Sequence, residues 1–388
     1  MKVPIARTSL TLQEKQSVLE PLDSGWLVQG TRVQEFEQQW CDFTNANDSI
    51  AVTSCTSAMH LSLAALGFGP GDEAIVPAFT WISTANVVEH LGGSVVFCDI
   101  DINTFNIDTN LIAGKITPKT KVILPVHLFG MPADMLPITS LAKEHNIHVV
   151  EDAACGFGAK YFGKHVGTFG DAGCFSFHPR KAITTGEGGM VTTGDQGLAK
   201  KIRRLRDHGA ETTDLQRHLG SRPYLLTDHT VAGYNQRMTD IQGALGAAQM
   251  KRAPEILEER RFLANRYDMA FGELDWLSIP KVEDGYEHGY QSYPCLFNPS
   301  KVNLESISLT NTKRNSWMDK LQSDGISTRP ATHAVHMLSY YRKKYRIESM
   351  DFPQAYAADQ CSISFPLFHG MKQDEQDFVI EKVLEYQP

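Results

Sequence analysis

Lys181 stands where a lysine can act as a nucleophile. It follows the apolar run Cys174 to Phe177, Pro179 restrains the backbone two residues before it, and Thr184-Thr185-Gly186-Glu187-Gly188-Gly189 comes soon after. Glycines let the backbone approach a ligand closely, and a lysine withdrawn from water can form an imine with a carbonyl carbon. Taken alone, the stretch 172–190 also fits a solvated lysine beside a turn, so other groups have to decide.

Three further groups would complete a site. At Thr53-Ser54-Cys55-Thr56-Ser57 an apolar run ends in hydroxyl residues and a helix starts with Ala58-Met59-His60. Free N–H groups and hydroxyls at a helix N-terminus attract an anion such as phosphate, although an ordinary helix cap uses the same residues. Trp81 lies just beyond the strand Ala74 to Pro77, where an aromatic either stacks on a planar ring or packs in the core. Asp152 follows the apolar strand Ile147 to Val150, and a carboxylate there is costly unless it caps a helix or meets a cation in a site. A phosphate nest, an aromatic plate, a carboxylate and a lysine at strand ends are what pyridoxal 5′-phosphate requires. Its phosphate must be anchored, its ring clamped, its pyridine nitrogen kept protonated and its aldehyde held as an imine.

The elements that position these residues read as an α/β protein. Apolar runs at 49–52, 74–76, 94–98, 121–126 and 147–150 alternate with helical stretches near 57–66, 83–91, 108–115 and 136–145. Runs at 172–177 and 189–193 extend the sheet, and the whole predicts a large domain over residues 1–254 with a mainly parallel, seven-stranded sheet. Ahead of it, Thr11 and Glu14 form a capping box for a helix that Pro21 ends, and Val33, Phe36, Trp40 and Phe43 recur at helical spacing. A basic helix at 197–206 and a helical stretch from Thr239 to about Leu274, with Pro254 as a candidate break, follow the sheet. Beyond residue 280 strands are fewer and shorter, with helices near 314–323, 351–360 and 373–386, which predicts a smaller α+β domain over 255–388.

With 388 residues the chain can build two cores, and 42% hydrophobic and 21% charged residues are the proportions of a folded, soluble protein. The net charge is −8, and the basic groups Lys200 to Arg206 and Arg342 to Arg346 read as solvated helix faces, so nucleic acid is not expected as a partner. Seven cysteines without a CxxC pattern read as reduced thiols. The first residues lack the apolar stretch of a signal peptide and no run reaches the length of a membrane span, so a cytoplasmic protein with no membrane association is expected.

SFHPRKAITTGEGG, EDAACGFGA, GFGPGDEAIVPAFTW, PVHLFGMP and GYNQRMTDIQGALGAAQM resemble the blocks of the DegT/DnrJ/EryC1/StrS sugar aminotransferases, which are pyridoxal-phosphate enzymes of fold type I. The resemblance runs from SGWLVQGTRVQEFE, which opens at Ser24, to the C-terminus. It implies that Lys181 is the imine lysine, Asp152 the pyridinium partner, Trp81 the stacking aromatic, and Thr56, Ser57 and Ser176 the phosphate ligands. It implies further that Asn235 reaches the phosphate in a second subunit, and hence a homodimer with shared active sites. Some family members are dehydratases with histidine in place of the lysine, so the retention of Lys181 favours transamination. Cys155 stands where relatives often carry Gln, His or Glu, and is expected only to pack. Trp26, Arg329, His333 and His336 are candidates for contact with the sugar. His333-x-x-His336 lacks a third ligand for zinc, and no metal is expected.

The expected reaction moves an amino group, from L-glutamate by the same resemblance, to a keto sugar for cell-surface polysaccharide or natural-product synthesis. Lys181 would carry the proton between the donor Cα and the cofactor C4′. The first expectation for the acceptor is a nucleotide-linked 3- or 4-keto-6-deoxy sugar. A free octulosonic acid oxidised at C8 is the rival acceptor, and a non-catalytic, cofactor-binding regulator is the rival class. A dinucleotide-dependent dehydrogenase would need a G-x-G-x-x-G opening the first βα turn, and the chain has none there.

Overall fold

Alternation of apolar runs with helices gives, in chain order, β1 (Asp48–Val52), β2 (Glu73–Pro77), β3 (Phe79–Thr80), β4 (Ser94–Cys98) and β5 (Thr120–Ile123). These are followed by β6 (His148–Asp152), β7 (Lys160–Tyr161), β8 (Lys164–His165), β9 (Ala172–Ser176) and β10 (Gly189–Thr193). The structure, a computed structural model, describes residues 1–298 and 302–387. A seven-stranded sheet has the order β1-β10-β9-β6-β5-β2-β4, mainly parallel as expected. Within it β10 runs against both neighbours, β1 and β9, and the remaining pairs are parallel. Because β1 and β9 are both antiparallel to β10, they point the same way as the parallel strands. The C-terminal ends of β1, β2, β6 and β9 therefore share one edge of the sheet, where ligands bind in open α/β folds.

Helices α1 (Leu12–Ser17), α2 (Leu19–Ser24) and α3 (Thr31–Thr44) precede the sheet, while α4 (Cys55–Ala65) follows β1 and α5 (Ser83–His90) follows β3. The capping box of Thr11 with Glu14 forms. Pro21 does not end that helix: the break falls at Val18, and Pro21 lies in the first turn of α2. An N–H there has no carbonyl to bond within the helix, so proline costs little. The periodic side chains of α3 do bury one face, and Trp40 packs against Phe36, Phe43, Phe157, Phe175 and Phe177. The basic helix, Gln196–Arg206, is less solvated than its charge suggests. Arg203 pairs with Asp48, and Arg206 is buried against Glu37 and the Ala51 carbonyl.

The later strands are β11 (Leu277–Ser278), β12 (Tyr286–Glu287), β13 (Tyr293–Phe297), β14 (His333–Ala334) and β15 (Ser362–Phe365). β11, β13 and β15 form an antiparallel sheet. The helix expected near 314–323 spans Leu304–Ser323 and starts at an Asn303 cap. Half of its first ten residues are Ser, Thr or Asn and only Ile307 among them is buried, so hydrophobic periodicity does not reveal it. Two strand pairs tie the two parts together, β12 with β7 and β14 with β3. Val3 pairs with Ile326, which ties the first residues to the C-terminal part.

Candidate active site

The turn that carries Lys181 is fixed at its base by packing. Phe177 and Ile183 are buried on either side, and the Phe177 carbonyl accepts from Thr184 Oγ1 at 2.8 Å and from the Thr185 N–H at 3.0 Å. The Lys181 N–H closes the turn onto the His178 carbonyl at 2.8 Å. The side chain is half-buried, and its amine donates to Cys155 Sγ at 3.1 Å. Cys155, expected only to pack, thus contacts the candidate catalytic amine.

Asp152 ends β6 and is 3% exposed. Its Oδ2 accepts from Thr84 Oγ1 at 2.7 Å and its Oδ1 from the Ala154 N–H at 3.1 Å. No helix begins behind it, so the capping alternative is excluded. Buried carboxylates are normally paired with a cation, yet among the described residues Asp152 has no ion-pair partner. Two accepted bonds also leave it capacity for another donor. A pyridinium N–H meets both conditions. The neighbouring Glu151 is instead satisfied within the protein, accepting from His127 Nε2 at 2.9 Å and from the N–H groups of Gly167, Phe169 and Gly170. Burial raises its pKa, but these bonds, led by His127, outweigh burial and hold it below the usual carboxylate range.

The candidate phosphate nest lies at the β1–α4 junction. Ser54 caps α4 by accepting the Ser57 N–H at 3.0 Å, so the helix begins three residues before Ala58, and Thr56 and Ser57 lie in its first turn. The N–H groups of Cys55 and Thr56 have no carbonyl to bond within the helix. The Ser57 hydroxyl lies 2.9 Å from Thr53 Oγ1 and 3.0 Å from Ser54 Oγ, a cluster beside those free donors. Gly189 makes the junction possible, since a Cβ on it would lie 2.4 Å from the Ser54 carbonyl carbon. Cys55 Sγ lies 3.3 Å from the Cys174 carbonyl, to which it donates, and 3.8 Å from Asp152 Oδ1, which brings the nest beside the carboxylate. Among the described residues the Ser176 hydroxyl, at the end of β9, accepts only a 3.4 Å bond from the His178 N–H, which leaves it available.

Trp81 is 54% exposed, which rules out core packing. Thr84 Oγ1 lies 3.1 Å from the Trp81 carbonyl as well as on Asp152, so the plate and the carboxylate are linked. The His333 ring is 5.9 Å from the Trp81 ring, placed there by pairing of His333 with Thr80. Asn235 is exposed beside the nest: the adjacent Gln236 carbonyl accepts the Thr53 N–H at 3.2 Å, and the Tyr234 ring meets His60 of α4 edge-on at 4.8 Å.

The other sugar candidates separate. Arg329 is exposed, and its backbone pairs with Ser364. The Trp26 ring packs 5.0 Å from His218, and among the described residues no hydrogen bond or ring contact joins it to Lys181 or Asp152. His336 is a correction: it is fully buried between Phe97 and Phe352, so it presents no surface to a sugar. Three contributors escape sequence reasoning, namely Thr84, Cys155 and the His127–Glu151 pair. Glu151 carries a signal in its position beside Asp152 at the end of a buried strand.

The residues of this site fit pyridoxal phosphate, and comparison with known proteins agrees. Residues 9–384 match the model of the DegT/DnrJ/EryC1/StrS aminotransferase family. The spore coat polysaccharide biosynthesis protein SpsC of Bacillus subtilis is 37% identical over 98% of this chain and 96% of its own length. GDP-perosamine synthase of Caulobacter vibrioides is 36% identical with the same coverage. Among solved structures, the Helicobacter pylori aminotransferase PseC, involved in the biosynthesis of pseudoaminic acid, superposes with a TM-score of 0.89 at 26% identity, over 99% of each chain. Spr1654 from Streptococcus pneumoniae has been solved in PMP and PLP forms, and its PMP form superposes with a TM-score of 0.89 at 29% identity over 98% of each chain. The chain belongs to the DegT/DnrJ/EryC1/StrS aminotransferase family and is a pyridoxal-phosphate-dependent sugar aminotransferase of fold type I.

Proposed function

We propose that the protein transfers an amino group from L-glutamate to a nucleotide-linked 3- or 4-keto-6-deoxy sugar, working as a cytoplasmic homodimer. The observation that carries the site is the buried Asp152 carboxylate, without a cation of its own, close in the chain to the Cys155 that meets the Lys181 amine. The choice of sugar is supported by relatives named GDP-perosamine synthase, 36% identical over nearly the whole chain.

Bound pyridoxal phosphate supplies an electron sink for the charge that develops at the donor Cα. With the cofactor bound, Lys181 would hold its aldehyde, and the amine, when free, would move a proton between the donor Cα and the cofactor C4′. Asp152, pinned by Thr84 and Ala154, keeps the proton on the ring nitrogen. Trp81 limits ring tilt. The free N–H groups of α4, with the hydroxyls of Thr56, Ser57 and Ser176, hold the phosphate.

His333, beside Trp81, and the exposed Arg329 serve the sugar in this reading, and Trp26 is a third contact that a second copy would have to bring near. Asn235 completes the phosphate site of the partner. The exposed apolar side chains Leu219, Tyr224, Leu225 and Leu226, on the stretch leading to Asn235, support a face covered by a second copy. The large domain covers 1–254 and the smaller one 255–388. No helix among the described residues is long and apolar enough to cross a membrane.

The test is an acceptor series with purified enzyme and glutamate, comparing nucleotide-linked keto sugars with the same sugars lacking the nucleotide. The nucleotide-linked sugar should turn over far faster. Equal turnover without the nucleotide would sink this choice of acceptor.

A further inference from the structure

We propose that Cys155 is a positioning residue for the Lys181 amine, holding it toward the cofactor site whenever it is not bonded to the cofactor. The proposal rests on the reading of Lys181 as the residue that bonds the cofactor.

A lysine side chain is a flexible four-carbon stem with three rotatable donors, so a free amine needs an acceptor to keep one orientation. Cys155 Sγ, 3.1 Å from Nζ, is that acceptor. Its own position is fixed from both sides: the Ala153 N–H donates to the Cys174 carbonyl at 2.9 Å, the Ala154 N–H to Asp152 at 3.1 Å, and the Gly156 N–H to the Ala153 carbonyl at 2.8 Å. The sulfur is therefore tied to the same backbone that carries the pyridinium partner.

The chemical nature of the acceptor matters. A carboxylate in this place would favour the ammonium form and withhold the lone pair that attacks the aldehyde and takes up the Cα proton. Sulfur is a weak acceptor, able to direct the amine without keeping its proton. The Asp152 carboxylate on the same stretch is held by Thr84 and the Ala154 N–H, and among the described residues no ion pair joins it to Lys181. Cys155 is thus the acceptor that the fold places on the Lys181 amine. The bond that it prepares joins Nζ to the aldehyde carbon, and the aldehyde oxygen leaves as water.

The experiment uses cofactor-free enzyme as wild type, Cys155→Ala and Cys155→Ser. The rate at which the amine bonds pyridoxal phosphate is followed by absorbance. Affinity for pyridoxamine phosphate, which has no aldehyde, is measured in parallel. Loss of orientation should slow bonding in Cys155→Ala on the order of tenfold, with unchanged affinity for pyridoxamine phosphate. Cys155→Ser, which restores an acceptor, should recover most of the rate. Bonding by Cys155→Ala at the wild-type rate overturns the proposal. So does a parallel loss of affinity for both compounds, which would mark a purely structural role. Borohydride reduction of the wild-type complex is the separate check: a label on another lysine removes the underlying reading, whereas a label on Lys181 leaves the Cys155 result to stand or fall by itself.

Discussion

Thr84 Oγ1 donates to Asp152 Oδ2 at 2.7 Å while lying 3.1 Å from the carbonyl of Trp81. One hydroxyl at the start of α5 therefore links the Asp152 carboxylate to the backbone that carries Trp81. Thr84→Val keeps the shape and removes the bond. A hydrogen bond to a charged group is worth roughly 1.5–3 kcal/mol, so kcat should fall by about ten- to a hundredfold with the cofactor still bound. Thr84→Ser should retain most activity. Steady-state kinetics decide, and a fully active Thr84→Val enzyme would show that Asp152 needs no such support.

Trp81 offers a cleaner separation of binding from folding. Its ring is 54% exposed, so Trp81→Ala should leave the melting temperature almost unchanged. Lost stacking is worth about 0.5–1.5 kcal/mol, which corresponds to roughly a two- to tenfold weaker Kd for pyridoxal phosphate. Trp81→Phe should recover part of it. Equilibrium titration of cofactor-free enzyme reads the difference, and wild-type affinity in Trp81→Ala would rule out the stacking role.

Gly189 tests the contact between β10 and the nest. A Cβ there would lie 2.4 Å from backbone atoms of Ser54, and backbone gives way poorly. Gly189→Ala should destabilise the fold by about 1–3 kcal/mol and displace the first turn of α4, weakening binding of inorganic phosphate. Thermal melting with and without phosphate measures both effects. A variant equal to wild type in both would mean that the junction is not tight.

The candidate site is legible in the sequence wherever its residues stand at strand ends. Lys181, Asp152, Trp81 and the hydroxyl run at 53–57 each follow an apolar strand, and the parallel sheet brings those ends together. Thr84 and Cys155 are not legible in that way, because their importance lies in which side chain they touch across the fold. Thr84 lies far from Asp152 in sequence and meets it only because β2 and β6 both flank β5. His336 misleads for the opposite reason: its spacing from His333 suggests a shared face, but the chain turns into a short 3-10 helix between Phe97 and Phe352 and buries it. The second sheet is read only coarsely, since its edge strand β11 is too short to show a period.

Acid should destabilise the protein before its carboxylates titrate. Burial pushes His165 down to about 4 and His288 down to about 3, so both are neutral in the folded chain at neutral pH. The unfolded histidines take up protons below about pH 6.5, where the folded ones do not. The stability that these two groups contribute is complete above about pH 6.5 and is lost as pH falls toward their folded values, by roughly 3–5 kcal/mol each if the loss runs to completion. His148, raised by its hydrogen bond to Asp171, works in the opposite direction but is half-exposed. Melting temperature should therefore drop between pH 7 and pH 5, and a flat profile would contradict the two buried neutral rings.

The most direct test of the account is to load the enzyme with pyridoxal phosphate, reduce it with borohydride, digest it and map the modified peptide. The account predicts a pyridoxyl group on Lys181, and in Lys181→Ala no reduced adduct and no transamination, although Asp152, Trp81 and the nest remain. A label on any other lysine, or a Lys181→Ala enzyme that still transfers amino groups, would contradict it.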